Sequence, residues 1–155
     1  MTEITLATSA KQIEEARSLF REYEAWLDMD LCFQGFEEEL AALPGKYAMP
    51  NGRLLLAFLD DKLAGCIAMR QLDENICEMK RLFVRDGFRG QNIGVHLIEA
   101  LIVAAREQGY VKMRLDTLPP KMAKAVSLYR SHGFYPIGPY YNNPHEGVLF
   151  MECEL

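Results

Sequence analysis

Between Met79 and Thr117 the chain reads strand, glycine-bearing turn, long helix, strand, and this order restricts the fold more than any other stretch. Met79-Lys80-Arg81-Leu82-Phe83-Val84 closes an apolar run, and Arg85 to Phe88 is a short loop. Arg89-Gly90-Gln91-Asn92-Ile93-Gly94-Val95 then opens a helix with an apolar stripe at Ile93, Leu97, Leu101, Ala104 and Ala105, stopped by Gly109. Lys112 to Thr117 is the next strand. A strand joined to another through a helix implies a parallel pair with a right-handed crossover. Glycines at the helix mouth let the backbone approach a ligand closely. The first-turn amides have no partner inside the helix. With the positive end of the helix dipole they make an anion site suited to a phosphate or pyrophosphate, and Arg89 adds a fixed charge. The stretch is not a P-loop, since no Gly-Lys-Ser/Thr follows, and Gly90 and Gly94 do not fit the dinucleotide spacing Gly-x-Gly-x-x-Gly.

The rest of the chain supplies a scaffold for this unit. Glu3 to Ala7 alternates polar and apolar residues as a first strand. Ser9 and Gln12 have capping-box spacing, and Ile13, Ala16, Phe20, Tyr23 and Leu27 follow at helical spacing, with Phe20, Tyr23 and Trp26 expected in the core. Asp28 to Gly35 breaks that helix, Phe36 to Leu43 forms a short second one, and Pro44-Gly45 ends it. Three apolar runs, Arg53 to Leu59, Lys62 to Leu72 and Ile76 to Val84, are separated by tight turns, an antiparallel meander. Pro119-Pro120 opens a further helix that ends near His132-Gly133, and Phe134 to Ile137 and Gly147 to Glu154 are the last strands.

Composition narrows the function classes. A length of 155 residues fits one domain, residues 1–155, and an apolar half supplies an ordinary interior. A net charge of −5 argues against general nucleic-acid binding. Cys32, Cys66, Cys77 and Cys153 form no Cys-x-x-Cys pair and have no companion histidines, so no metal site is expected. Four scattered cysteines fit free thiols in a reducing cytoplasm. No signal peptide or membrane span is legible.

Arg89-x-x-Asn92-x-Gly94 after a strand resembles the acyl-CoA loop of the GNAT superfamily of N-acyltransferases, whose pattern is Arg/Gln-x-x-Gly-x-Gly/Ala. Asn92 stands at the central glycine, and asparagine tolerates left-handed backbone angles. Ala125-Val126-Ser127-Leu128-Tyr129-Arg130-Ser131-His132-Gly133-Phe134 resembles the family's Ala-x-x-Leu-Tyr-x-x-x-Gly-Phe helix. Met122 replaces an asparagine that often precedes that alanine by three residues, which removes one hydrogen bond to the pantetheine arm or moves it to a backbone group. The order β-α-α-β-β-β-α-β-α-β-β is similar to the family's over nearly the whole chain. The resemblance implies an α+β (mixed α/β) fold: a mostly antiparallel twisted sheet with one parallel crossover pair and helices on both faces.

The resemblance also implies transfer of an acetyl group from acetyl-CoA, as co-substrate, to the amine of a small molecule, peptide or protein by direct attack in a ternary complex. The arm of the coenzyme would bond the backbone of Leu82, Phe83 and Val84 as an added strand, where the family splays the meander strand from the strand ending at Thr117. The pyrophosphate would fall on Arg89, Gly90, Gln91, Asn92, Ile93, Gly94 and Val95. Glu78 is the candidate base, directly or through a water, or alternatively an ion-pair partner of Lys80 or Arg81. Tyr129 is the candidate acid for the departing thiolate, or alternatively a core residue. Phe33, Gln34, Phe36, Tyr140, Tyr141 and Asn142 are candidates for the acceptor pocket, though the last loop also reads as a rigid turn. His96 and His145 read as surface or capping residues. A cysteine relay is not expected, because no cysteine has a legible histidine partner. The partners expected are acetyl-CoA and an amine, with no nucleic acid and no membrane, and a homodimer would match many family members. The competing readings are a non-catalytic acyl-CoA sensor of the same fold, a phosphate-ligand module of unrelated fold, and an acetyltransferase acting on a macromolecule, for which no basic patch speaks.

Overall fold

The computed structural model describes residues 1–27 and 35–155. Seven strands form one sheet: β1 (Thr2–Leu6), β2 (Arg53–Leu59), β3 (Lys62–Asp73), β4 (Ile76–Val84), β5 (Lys112–Thr117), β6 (Tyr135–Ile137) and β7 (Leu149–Glu154). The helices are α1 (Ala10–Leu27), α2 (Phe36–Ala42), α3 (Ile93–Gln108) and α4 (Pro119–Ser131). The sheet order is β1-β2-β3-β4-β5-β7-β6, and among its pairs β4–β5 alone is parallel. The element order and the mixed sheet with its parallel crossover pair agree with the sequence reading.

Local chemistry explains most element ends. The Ser9 hydroxyl accepts from the Gln12 amide at 3.2 Å while the Gln12 side chain accepts from the Ser9 amide at 3.0 Å, a reciprocal cap on α1. Gly109 closes α3 at φ 100°. Inside α4 the helix is kinked at Met122, whose backbone is non-helical (φ −128°, ψ 35°).

The sheet separates two apolar clusters. Ile67, Met69, Cys77 and Met79 pack with Leu97, Ile98, Leu101 and Tyr129 beneath α3 and α4. Leu54, Leu56, Cys66, Ala68 and Phe83 pack with Leu19, Phe20, Phe36 and Leu40 of α1 and α2. Strand parity predicts that every second β4 residue shares a face, and the structure departs from it once. Cys66 pairs Phe83 and Ala68 pairs Lys80, so Arg81 and Leu82 together oppose Ile67, with Arg81 at φ 61°. This bulge puts Lys80 and Arg81 on the face of α1 and α2 and shifts the alternation beyond them. Gly65 makes room for it: a Cβ there would sit 2.5 Å from the Phe83 carbonyl oxygen, far inside contact distance.

Arg81 is held by a bidentate pair to Glu39 of α2, Nε–Oε2 2.9 Å and Nη2–Oε1 3.0 Å, with both side chains nearly wholly buried. Its guanidinium also lies 5.1 Å from the Phe36 ring centre. Arg81 therefore ties α2 to the bulge.

Candidate active site

The parallel pairing of β4 with β5 is short. It joins Ile76–Lys112, Cys77–Met113 and Glu78–Arg114, and beyond these the strands diverge. From Met79 to Val84 the β5-facing backbone edge of β4 has no strand partner among the described residues. The opening continues into a cleft of about 720 Å³ bounded by the end of α1, β4, the mouth of α3, the end of β5, α4 and the loop before β7. Leu82, Phe83, Val84 and Thr117 all line it.

At one end lies the mouth of α3. Asn92 sits immediately before the helix in the left-handed region, φ 63° and ψ 19°, and Gly90 has φ 82°. Asparagine thus adopts the conformation for which the resemblance expects a glycine. Gly90, Gln91 and Asn92 are exposed, so no side chain among the described residues plugs the mouth. Arg89, Gly90, Asn92, Ile93, Gly94 and Val95 line the cleft, whereas Gln91 does not. The Arg89 Nε donates to the Val84 carbonyl at 3.0 Å, and its guanidinium stacks 5.0 Å from the Trp26 ring centre and 5.9 Å from that of Phe83.

Trp26 differs from its core expectation. It is 42% exposed and lines the cleft, because the last turn of α1 overhangs the opening between the strands. Tyr23, one turn earlier, also reaches the cleft while packing edge-on against Phe83. Phe20 is fully buried, as its spacing predicts.

Tyr129 is buried, lines the cleft and packs on Phe134 at 5.8 Å. Burial pushes its phenol far above the ordinary tyrosine range, so it stays protonated and keeps a proton to donate. In place of the family's asparagine, the Met122 sulfur accepts from the Thr117 hydroxyl at 3.1 Å.

Glu78 is 1% exposed and does not border the cleft. Its Oε1 accepts from Arg70 Nε at 2.8 Å and lies 3.9 Å from Lys80 Nζ, and its Oε2 accepts from the Tyr140 hydroxyl at 2.5 Å. Burial pushes the carboxyl up, but Lys80, the Tyr140 hydrogen bond and Arg70 outweigh it and hold the group below the usual range. Of its two expected partners, Lys80 is therefore near and Arg81 is engaged elsewhere by Glu39. Lys80 does line the cleft, and burial lowers its ammonium to about 8.

The acceptor candidates separate. Phe33 and Gln34, like Cys32, lie outside the described residues. Phe36 is fully buried in the core under Arg81 rather than on the cleft wall, because the first residue of α2 faces the sheet. Tyr140 and Tyr141 pack on Phe150 at 5.2 and 5.4 Å, and their hydroxyls donate to Glu78 and Asp116. They lie behind the cleft wall, and Asn142 is exposed away from it; Asn143 and His145 of the same loop reach the cleft instead.

Cys66, Cys77 and Cys153 are buried, and burial raises all three thiols, Cys77 to about 12 and Cys153 to about 11. None of them lines the cleft. Among the described residues no group of His, Cys, Asp or Glu could hold a metal ion, and no helix is long and apolar enough to cross a membrane.

The sequence and the overall fold of this chain are matched by known proteins. Residues 13–134 match the model of the acetyltransferase (GNAT) family. The chain belongs to that family. It is 34% identical to an uncharacterised N-acetyltransferase of Dictyostelium discoideum, over 98% of this chain and 99% of the relative. Its fold matches an acetyltransferase of the GNAT family from Staphylococcus aureus with a TM-score of 0.81 at 22% identity, over 99% of each chain. It also matches the PaiA N-acetyltransferase of Thermoplasma acidophilum in complex with coenzyme A, with a TM-score of 0.72 at 19% identity, over 100% of this chain and 99% of that one.

Sequence reasoning missed Trp26, Lys80, Asp116, Lys121 and Asn143 as cleft residues. Only Asp116 had a usable signal: it is the penultimate residue of the strand whose end borders the splay.

Proposed function

We propose that this protein transfers the acetyl group of acetyl-CoA to an amine by direct attack within a ternary complex. The observation that carries the reading is the opening of β4 from β5 after Glu78 and Arg114, continuous with the exposed mouth of α3. The free edge of Leu82, Phe83 and Val84 suits the amide arm of the coenzyme. The amides of Ile93, Gly94 and Val95, with Arg89, suit its pyrophosphate. The thioester then falls near Tyr129, and the acceptor enters from the α1 face.

The acceptor ammonium loses a proton, its nitrogen attacks the thioester carbonyl, and the CoA thiolate leaves and is protonated. Tyr129 donates that last proton. Glu78 does not touch the cleft, so as a base it takes the acceptor's proton through an intervening water. Direct attack is supported by the buried, high-pKa state of Cys66, Cys77 and Cys153, which leaves no described thiolate for a covalent relay.

Measurement of thiol release from acetyl-CoA against a panel of amines, beside thermal unfolding with acetyl-CoA, tests the reading. The expected result is stabilisation by acetyl-CoA and amine-dependent thiol release. Stabilisation without release from any amine would favour the second reading, a non-catalytic acyl-CoA sensor, to which the Met122 departure points. Neither effect would reject both.

A further inference from the structure

The cleft has a carboxylate that the reading above leaves without a task. Asp116 faces the α1 side near the end of β5 and is the one acidic residue among the described cleft-lining residues. It lies opposite Phe150 in the β5–β7 register. The Tyr141 ring packs on Phe150 at 5.4 Å while its hydroxyl donates to Asp116 Oδ2. Asn143 Nδ2 donates to the same oxygen at 3.1 Å and to the Tyr141 hydroxyl at 2.9 Å. The Asn143 side-chain oxygen accepts from the His145 amide at 2.9 Å, which fixes the amide's orientation. Both side-chain donors therefore converge on Oδ2, and no donor among the described residues reaches Oδ1. A carboxylate clamped through one oxygen, with the other unused, is preorganised to receive an external cation.

The surrounding charge limits what that cation can belong to. Although the chain carries a net charge of −5, the cleft is lined by Lys80, Arg81, Arg89, Lys121 and Lys124. Arg81 is neutralised by Glu39 and Lys80 is paired with Glu78, and Arg89 stands at the phosphate end. Lys121 and Lys124 lie on α4, and Lys121 reaches the Leu27 carbonyl at the end of α1. An acceptor with a second positive charge would meet these ammonium groups within the same cleft, an unfavourable juxtaposition in a partly desolvated site. An acceptor with an anionic group would be attracted to them.

We propose that Asp116 Oδ1 anchors the acceptor ammonium, with Lys121 and Lys124 attracting an anionic group of the same molecule, so that the acceptor is a small zwitterionic amine. On this view the Tyr141–Asn143 loop acts on the acceptor through Asp116 rather than by touching it. The inference rests on the acetyl-CoA reading, and its test separates the two.

Thiol release is measured with the common L-amino acids, their amides and spermidine, with rates expressed per unprotonated amine. The expected result is at least one amino acid preferred over its amide by roughly tenfold in kcat/KM, the scale of one modest ion pair, with spermidine weakest. In Asp116→Asn the KM for that amino acid rises by roughly tenfold or more, while stabilisation by acetyl-CoA stays at the wild-type level. Preference for spermidine or for an amide overturns the proposal, as does an unchanged KM in Asp116→Asn. Stabilisation by acetyl-CoA with no amine consumed overturns the acceptor class and leaves coenzyme binding intact. Failure of acetyl-CoA to stabilise the protein removes the coenzyme reading and this inference with it.

Discussion

Substitution of Glu39 by alanine is expected to lower the unfolding free energy by about 3–5 kcal/mol, the cost of stranding one member of a buried pair. At this chain length that corresponds to a fall in Tm on the order of 10 °C. The reason is the environment of Arg81. Its guanidinium is almost wholly buried, bonded twice to Glu39 and packed against Phe36 and Tyr23. With Glu39 gone, a charge that cannot be released remains in an apolar site. Replacing both partners, Glu39→Met with Arg81→Met, should recover much of the loss, since the penalty comes from the orphaned charge more than from the missing attraction. Chemical denaturation of the single and double variants distinguishes this account from a general packing defect. If the double variant is no more stable than Glu39→Ala, the pair does not act as described.

The largest effect on catalysis is expected from Tyr129→Phe. The substitution keeps the ring that packs on Phe134 and removes only the donor. If Tyr129 protonates the departing thiolate, kcat falls by about 100-fold or more, while the KM for acetyl-CoA and thermal stability change little. The raised phenol pKa adds a signature: because burial keeps Tyr129 protonated, it should contribute no alkaline fall in rate below about pH 10. Steady-state kinetics across pH settles both points. An unchanged kcat in the variant would remove Tyr129 from the chemistry.

The fold was largely legible because the sequence is well punctuated. Asp60-Asp61 and Asp73-Glu74-Asn75 isolate the meander strands, Ser9 and Gln12 mark the start of α1, and Gly109 marks the end of α3. The anion-binding mouth could be read because its requirements are local: backbone amides and a left-handed Asn92. What escaped depends on contacts between distant segments. The bulge at Arg81 moves Lys80 and Arg81 to one face, and alternation along a single strand cannot reveal it. Trp26 follows the spacing of a core residue, and only the overhang of α1 above the splay exposes it. Glu78 was legible as a costly buried charge. Its partners Arg70 and Tyr140 come from another strand and from a loop 62 residues away in sequence. Tyr140 and Tyr141 were legible as a site loop, but their hydroxyls turn inward to Glu78 and Asp116.

Amide hydrogen exchange with and without acetyl-CoA tests the central claim most directly. The account predicts slowed exchange concentrated at Ile93 to Val95, where the first turn of α3 would receive the pyrophosphate, and at the free β4 edge around Leu82 to Val84. Protection confined to other segments, with these amides exchanging as in the free protein, would contradict it.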